Sequence, residues 1–106
     1  MTKVKTNFEG QTVFVGMDVH KSSWNLDIHL GDMFIKNVHQ KPNPAILANY
    51  LKQHFPNAHY KAAYEAGKFG FWIQRQLTAY GIECMVVNPA DIPKSQKDNL
   101  TKNRSP

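Results

Sequence analysis

Residues 12–32 read TVFVGMDVHKSSWNLDIHLGD, and the alternation within them decides the architecture. Over residues 12–20, Val13, Val15, Met17 and Val19 fall on one side of an extended chain. Phe14, Gly16, Asp18 and His20 fall on the other. Both sides are largely apolar up to Asp18, the pattern of a strand in the middle of a sheet. Over residues 23–30 the alternation is strict. Trp24, Leu26, Ile28 and Leu30 interleave with Asn25, Asp27 and His29, so one face is buried and the other wet. Gly31-Asp32 is a two-residue hairpin turn that returns the chain into a third strand over roughly residues 33–39.

Working outward, KPNPAILANYLKQHFP (residues 41–56) carries a helical stripe of Leu47, Tyr50, Leu51 and Phe55. Asn43 suits the N-cap, Pro44 the first helical position, and Pro56 stops the helix. A fourth strand is expected over residues 60–66, ending near Glu65, with Gly67 and Gly70 marking the turn. A second helix over residues 69–80 would turn Phe69, Trp72, Ile73, Leu77 and Tyr80 inward and end at Gly81. A fifth strand over residues 82–87 closes at Asn88-Pro89. Residues 1–11 read as a flexible arm and residues 89–106 as a polar, basic tail, leaving residues 12–88 as the folded domain. The order is βββαβαβ. Right-handed crossovers make the last two strands parallel to the first. The expected class is α/β, a mixed five-stranded sheet with helices packed on it, in the order of the ribonuclease H-like fold up to its fifth strand.

The 106 residues suffice for one small domain. A hydrophobic fraction of 42% with six Phe, four Tyr and two Trp excludes a disordered chain. Formal net charge is +5, a balance that suits a polyanionic partner and above all nucleic acid. Cys84 is the only cysteine, so neither an intrachain disulfide nor a cysteine-based zinc site can form. The opening MTKVKTNFEGQ lacks the apolar centre of a signal peptide, and no apolar run is long enough to span a bilayer. The expectation is a cytoplasmic setting without a membrane partner.

Asp18 ends the first strand and Glu65 the fourth. If those strands are parallel neighbours, both carboxylates reach the carboxyl edge, where ligands of open α/β sheets bind. A hard cation such as Mg²⁺ takes oxygen ligands at about 2.1 Å. Two such ions about 4 Å apart hold the attacking and leaving oxygens of a phosphoryl transfer. Four carboxylates normally anchor that pair, and two alone would bind metal weakly. Against this stand plainer roles: Asp18 as a turn cap, Glu65 as a helix-entry carboxylate favoured by the helix dipole. Gly16 leaves room beside Asp18 or marks a bulge. His20 and Lys21 are candidates for a phosphate contact. Lys94, Lys97, Lys102 and Arg104 in the tail are candidates for following a nucleic-acid backbone. Cys84, Trp24 and Trp72 read as packing.

Two stretches together, VGMDVHKSSW and AAYEAGKFGFWIQRQLTAYGIECMVVNPADIPK, resemble the N-terminal domain of the DEDD insertion-sequence transposases, the family that includes the Piv and MooV invertases. The succession YEAG, FW, RQL, YGIEC and VVNP carries the resemblance, which spans roughly residues 12–98. It implies a RuvC-like domain of ribonuclease H fold that recombines DNA with Mg²⁺ held by a D-E-D-D set. In it Asp18 matches the first acid and Glu65 the second. Some members of the family are guided by a structured RNA. The last two acids of the family lie after the fifth strand. Here that stretch is NLTKNRSP, with Asn103 or Arg104 at the third place, Pro106 or nothing at the fourth, and Asp98 too early for either. The resemblance therefore implies a truncated, inactive catalytic domain. The apolar sheet face left bare by its missing closing helix would favour a homo-oligomer. Three other readings stay open: a non-catalytic nucleic-acid-binding or regulatory fragment, a resolvase-type nuclease completed by a partner chain, and, last, an actin-like phosphotransferase domain, for which GMDVHKSSW offers no glycine-rich phosphate loop.

Overall fold

The computed structural model describes residues 7–67 and 70–87. They form β1 (Thr12–Val19), β2 (Trp24–Leu30), β3 (Met33–Gln40), α1 (Pro44–His54), β4 (His59–Glu65), α2 (Trp72–Ala79) and β5 (Glu83–Val87). The sheet runs β3-β2-β1-β4-β5. The three N-terminal strands pair antiparallel, while β1–β4 and β4–β5 are parallel. This is the expected mixed α/β sheet with β1 at its centre, and it is compatible with a ribonuclease H-like fold. The expected tail, residues 89–106, lies outside the described residues.

Local signals produce these elements. Gly31 sits at φ +60, a conformation that favours glycine, and joins Leu30 to its cross-strand partner Met33. The Asn43 side chain accepts a hydrogen bond from the Ala45 amide at 2.9 Å, satisfying one of the free donors that begin α1. Lys52, in the last turn of α1, donates to the Tyr80 carbonyl at 2.9 Å and ties the two helices together.

The core lies on one face of the sheet. Val13, Val15 and Met17 from β1, Trp24, Leu26 and Ile28 from β2, and Tyr60, Ala62 and Tyr64 from β4 pack against Leu47, Ala48, Leu51, Phe55, Ile73, Leu77 and Ile82. Burial on this scale, at ~25 cal/mol per Å² of apolar surface, is the main force holding the sheet to its helices.

Two expectations change. The segment read as a flexible arm contacts the domain from Phe8 onward. The Phe8 amide donates to the Pro56 carbonyl, the Gln11 carbonyl accepts from the His59 amide, and the Phe8 ring meets Phe55 edge-on at 5.3 Å. One aromatic carries that anchoring, and a lone aromatic gives no period to read. The second helix is also shorter than residues 69–80. Only Ile73 and Leu77 are fully buried on it, while Trp72 is 36% and Tyr80 39% exposed. Eight residues make about two turns, which offer the core one narrow stripe, so aromatics at either end lean out.

Candidate functional site at the carboxyl edge of the central strands

The face of the sheet opposite the helices is open among the described residues. Period-two alternation and cross-strand register arrange its side chains in three rows. The first row crosses the sheet as Phe34, His29, Phe14, Lys61 and Glu83. The second is Asn37, Asp27, Gly16, Ala63 and Met85. The third row lies at the carboxyl edge of β1 and holds the acids.

The parallel pairing of β1 with β4 ends at Met17 beside Tyr64. The next residues, Asp18 and Glu65, therefore stand side by side on the open face, on strands about 4.8 Å apart. Both are exposed. Asn25 is the partner of Asp18 across the antiparallel pair. Its Oδ1 is buried without a hydrogen-bond partner among the described residues. His20 leaves the end of β1 with its Nε2 3.3 Å from Asp18 Oδ1, and its amide donates to the Ser23 carbonyl to close the turn. Lys21 is exposed in that turn.

Asp18, Glu65, His20 and Lys21 are thus gathered at one edge. Lys94, Lys97, Lys102 and Arg104 lie outside the described residues. Oxygen donors on adjacent strand ends are the ligand type a hard divalent cation takes, so the pair fits part of a Mg²⁺ coordination sphere. Among the described residues no group of three or more His, Cys, Asp or Glu side chains is arranged to hold a metal ion.

The elements around the pair are held firmly. Tyr64, next to Glu65, points into the core with 2% exposure. Its hydroxyl donates to the Gly70 carbonyl at 2.7 Å and accepts from the Gln74 amide at 3.2 Å. Burial raises the Tyr64 pKa above its usual value. Gly16 lies in a regular stretch of β1, not a bulge, and a Cβ there would meet nothing within 4 Å. Cys84 is half-buried, and desolvation pushes its thiol up to about 11, so it is unreactive at neutral pH. Trp24 is fully buried, as its strand pattern requires.

Sequence reading overlooked the His59–Glu83 pair, 3.3 Å apart at the other end of the parallel strands. It also overlooked the aromatic row through Phe14 and Phe34. Parity along each strand carries half of that information; the register that aligns the strands carries the rest.

This is an α/β sheet with a paired-carboxylate edge, and the similarities found for the chain are to transposases. It is 28% identical to the transposase for insertion sequence element IS1533 of Leptospira borgpetersenii over 93 residues, which are 83% of this chain and 26% of that protein. Over 38 residues it is 55% identical to "Putative transposase y4rJ" of Sinorhizobium fredii, covering 36% of this chain and 10% of that protein. The chain thus matches about a quarter or less of the length of these curated relatives. No family model matches it. No helix among the described residues is long and apolar enough to cross a membrane.

Proposed function

We propose that this chain is the N-terminal part of the catalytic domain of a DNA transposase of the DEDD type, RuvC-like and of ribonuclease H-like fold. One observation carries the reading: the register sets Asp18 beside Glu65 on exposed, adjacent, parallel strand ends. Similarity to two transposases supports it independently. In this reading Asp18 and Glu65 are ligands of Mg²⁺, and the remaining oxygen ligands lie outside residues 7–87. The metal would polarise a phosphodiester and stabilise the charge that develops during strand transfer. The chain's own residues hold the two carboxylates in place through the Tyr64 anchor and keep His20 against Asp18.

DNA is the proposed partner, with His20, Lys21 and the basic residues Lys94, Lys97, Lys102 and Arg104 along its backbone. A guide RNA, homo-oligomerisation and a cytoplasmic location accompany this reading as proposals. Two carboxylates supply few oxygen ligands, so the expected metal affinity of this pair is weak. A titration calorimetry experiment with Mn²⁺ tests the assignment. The expected result is one weak site that either Asp18→Asn or Glu65→Gln abolishes. Unchanged binding in both variants would sink it. A non-catalytic nucleic-acid-binding role is the second reading, favoured by the excess of Lys and Arg (13) over Asp and Glu (8).

A further inference from the structure

The two sides of the sheet carry opposite charge. Asp18, Asp27, Glu65 and Glu83 all stand on the open face, and the strands set one lysine against them there, Lys61. The helical side is the reverse. The sequences of α1, PAILANYLKQH, and α2, WIQRQLTA, contain no Asp or Glu. Four cations lie on this side. Lys36 pairs with the core residue Ile28 across β2 and β3, so it shares the helical side of the sheet, and it is exposed. Lys41 is exposed in the link from β3 to α1, and Lys52 is exposed in the last turn of α1. On α2, Ile73 and Leu77 are buried. Arg75 lies two residues from each, about half a turn round the helix, so it points away from the core and is exposed.

These charges are not cancelled by their neighbours. None of the four has an ion-pair partner among the described residues. Lys52 donates to the Tyr80 carbonyl, but a neutral acceptor leaves its charge in place. The other described acids are Glu9 and Asp32. Asp32 sits in the β2–β3 turn, and Glu9 follows Phe8, whose ring meets Phe55 just beyond α1. Glu9 is thus the one described acid near this side.

We infer that the helical side of the sheet docks duplex DNA, with Lys36, Lys41, Lys52 and Arg75 on its phosphates. The inference rests on the reading that DNA is the partner, and it supplies the surface. Charge complementarity carries it. A duplex presents one negative charge per about 1.7 Å of axis. From β3 to β4 is roughly 14 Å at the spacing of strands, over which a duplex offers about eight such charges. Lysine, arginine and exposed amides such as Asn49 and Gln53 on α1 contact phosphates, so the docking does not depend on sequence. The open face, with four carboxylates against Lys61, repels the same backbone.

The test is fluorescence anisotropy with the whole 106-residue chain and a labelled duplex DNA, in EDTA, from about 50 to 200 mM salt. The expected result is metal-independent binding that weakens steeply with salt. Lys36→Ala, Lys41→Ala and Arg75→Ala should each weaken it and flatten the plot of log affinity against log salt by about one unit, the loss of one phosphate contact. Lys61→Ala, on the open face, should leave affinity and slope as in the parent. All four side chains are largely in solvent, so far-UV circular dichroism should match the parent in each variant. Absence of duplex binding in EDTA would overturn the inference, as would indifference to both Lys41→Ala and Arg75→Ala. So would a Lys61→Ala loss equal to that of Arg75→Ala, because binding would then follow net charge and not this side. Tighter binding of the single strand than of the duplex would assign the surface to a different ligand. The metal reading is tested separately, by Mn²⁺ at Asp18 and Glu65, so either can fail without the other.

Discussion

Replacing Tyr64 by Phe should destabilise this fold more than any other removal of a single oxygen. Tyr64 is 2% exposed, so its hydroxyl has no water to fall back on. The helix α2 has Phe71 at its N-cap position and no side-chain cap, which leaves its first-turn amides without acceptors from their own segment. The Tyr64 hydroxyl, reaching across from β4, accepts from one of them, Gln74, and donates to Gly70 just before the helix. Loss of a helix cap costs about 1 kcal/mol. A buried partner left unsatisfied adds about another 1 kcal/mol, for a total of about 2 kcal/mol. At ~5 °C per kcal/mol for a domain of this size, the melting temperature should fall by about 10 °C. Tyr60 provides the internal comparison. It is also buried, and its hydroxyl donates to the Phe55 carbonyl at 2.6 Å, but it caps no helix. Tyr60→Phe should therefore cost about half as much, ~1 kcal/mol. Thermal and urea unfolding followed by circular dichroism give both values, and the Gln74 amide should exchange with solvent faster in Tyr64→Phe. A Tyr64→Phe loss no greater than that of Tyr60→Phe would refute the claim that this hydroxyl caps α2.

Other consequences follow from single positions. Gly81→Ala should cost about 1 kcal/mol in urea unfolding because Gly81 holds φ +88 after α2, whereas Gly16→Ala, in open space on a regular strand, should stay within about 0.5 kcal/mol. Asn43→Ala should lose about 1 kcal/mol through the missing cap to Ala45, measured the same way. The Cys84 thiol titrates at about 11 in the fold against 9.0 for an unburied thiol. The unfolded chain therefore ionises first as pH rises. The stabilisation from keeping this thiol neutral is complete below pH 9 and is lost between pH 9 and about 11. Urea midpoints across that range should fall less steeply in Cys84→Ala than in the parent.

Particular residues explain how far the sequence could be read. Trp24, Leu26 and Ile28 against Asn25, Asp27 and His29 announced a strand with one wet face, and Gly31-Asp32 announced its turn; both are local chemistry. The place of Asp18 beside Glu65 followed from a crossover rule joined to two strand ends. The open face was harder. Phe14 made β1 look buried on both sides, yet its ring stands in solvent, because alternation reports apolarity and not what covers it. Met33, Phe34 and Ile35 on the edge strand β3 are exposed for the same reason. The irregular register between Ile28 and His29 cannot be seen without the partner strand. Phe8 was lost in a polar arm because its contact with Phe55 spans most of the domain's first half.

The shared cation site is tested most directly by titrating Mn²⁺ into the ¹⁵N-labelled chain and watching amide signals broaden. The account predicts that residues 17–19 and 64–66 broaden together at the lowest additions, and that Asp18→Asn or Glu65→Gln spares both groups at once. Broadening of one strand end without the other, or first around His59 and Glu83, would contradict it.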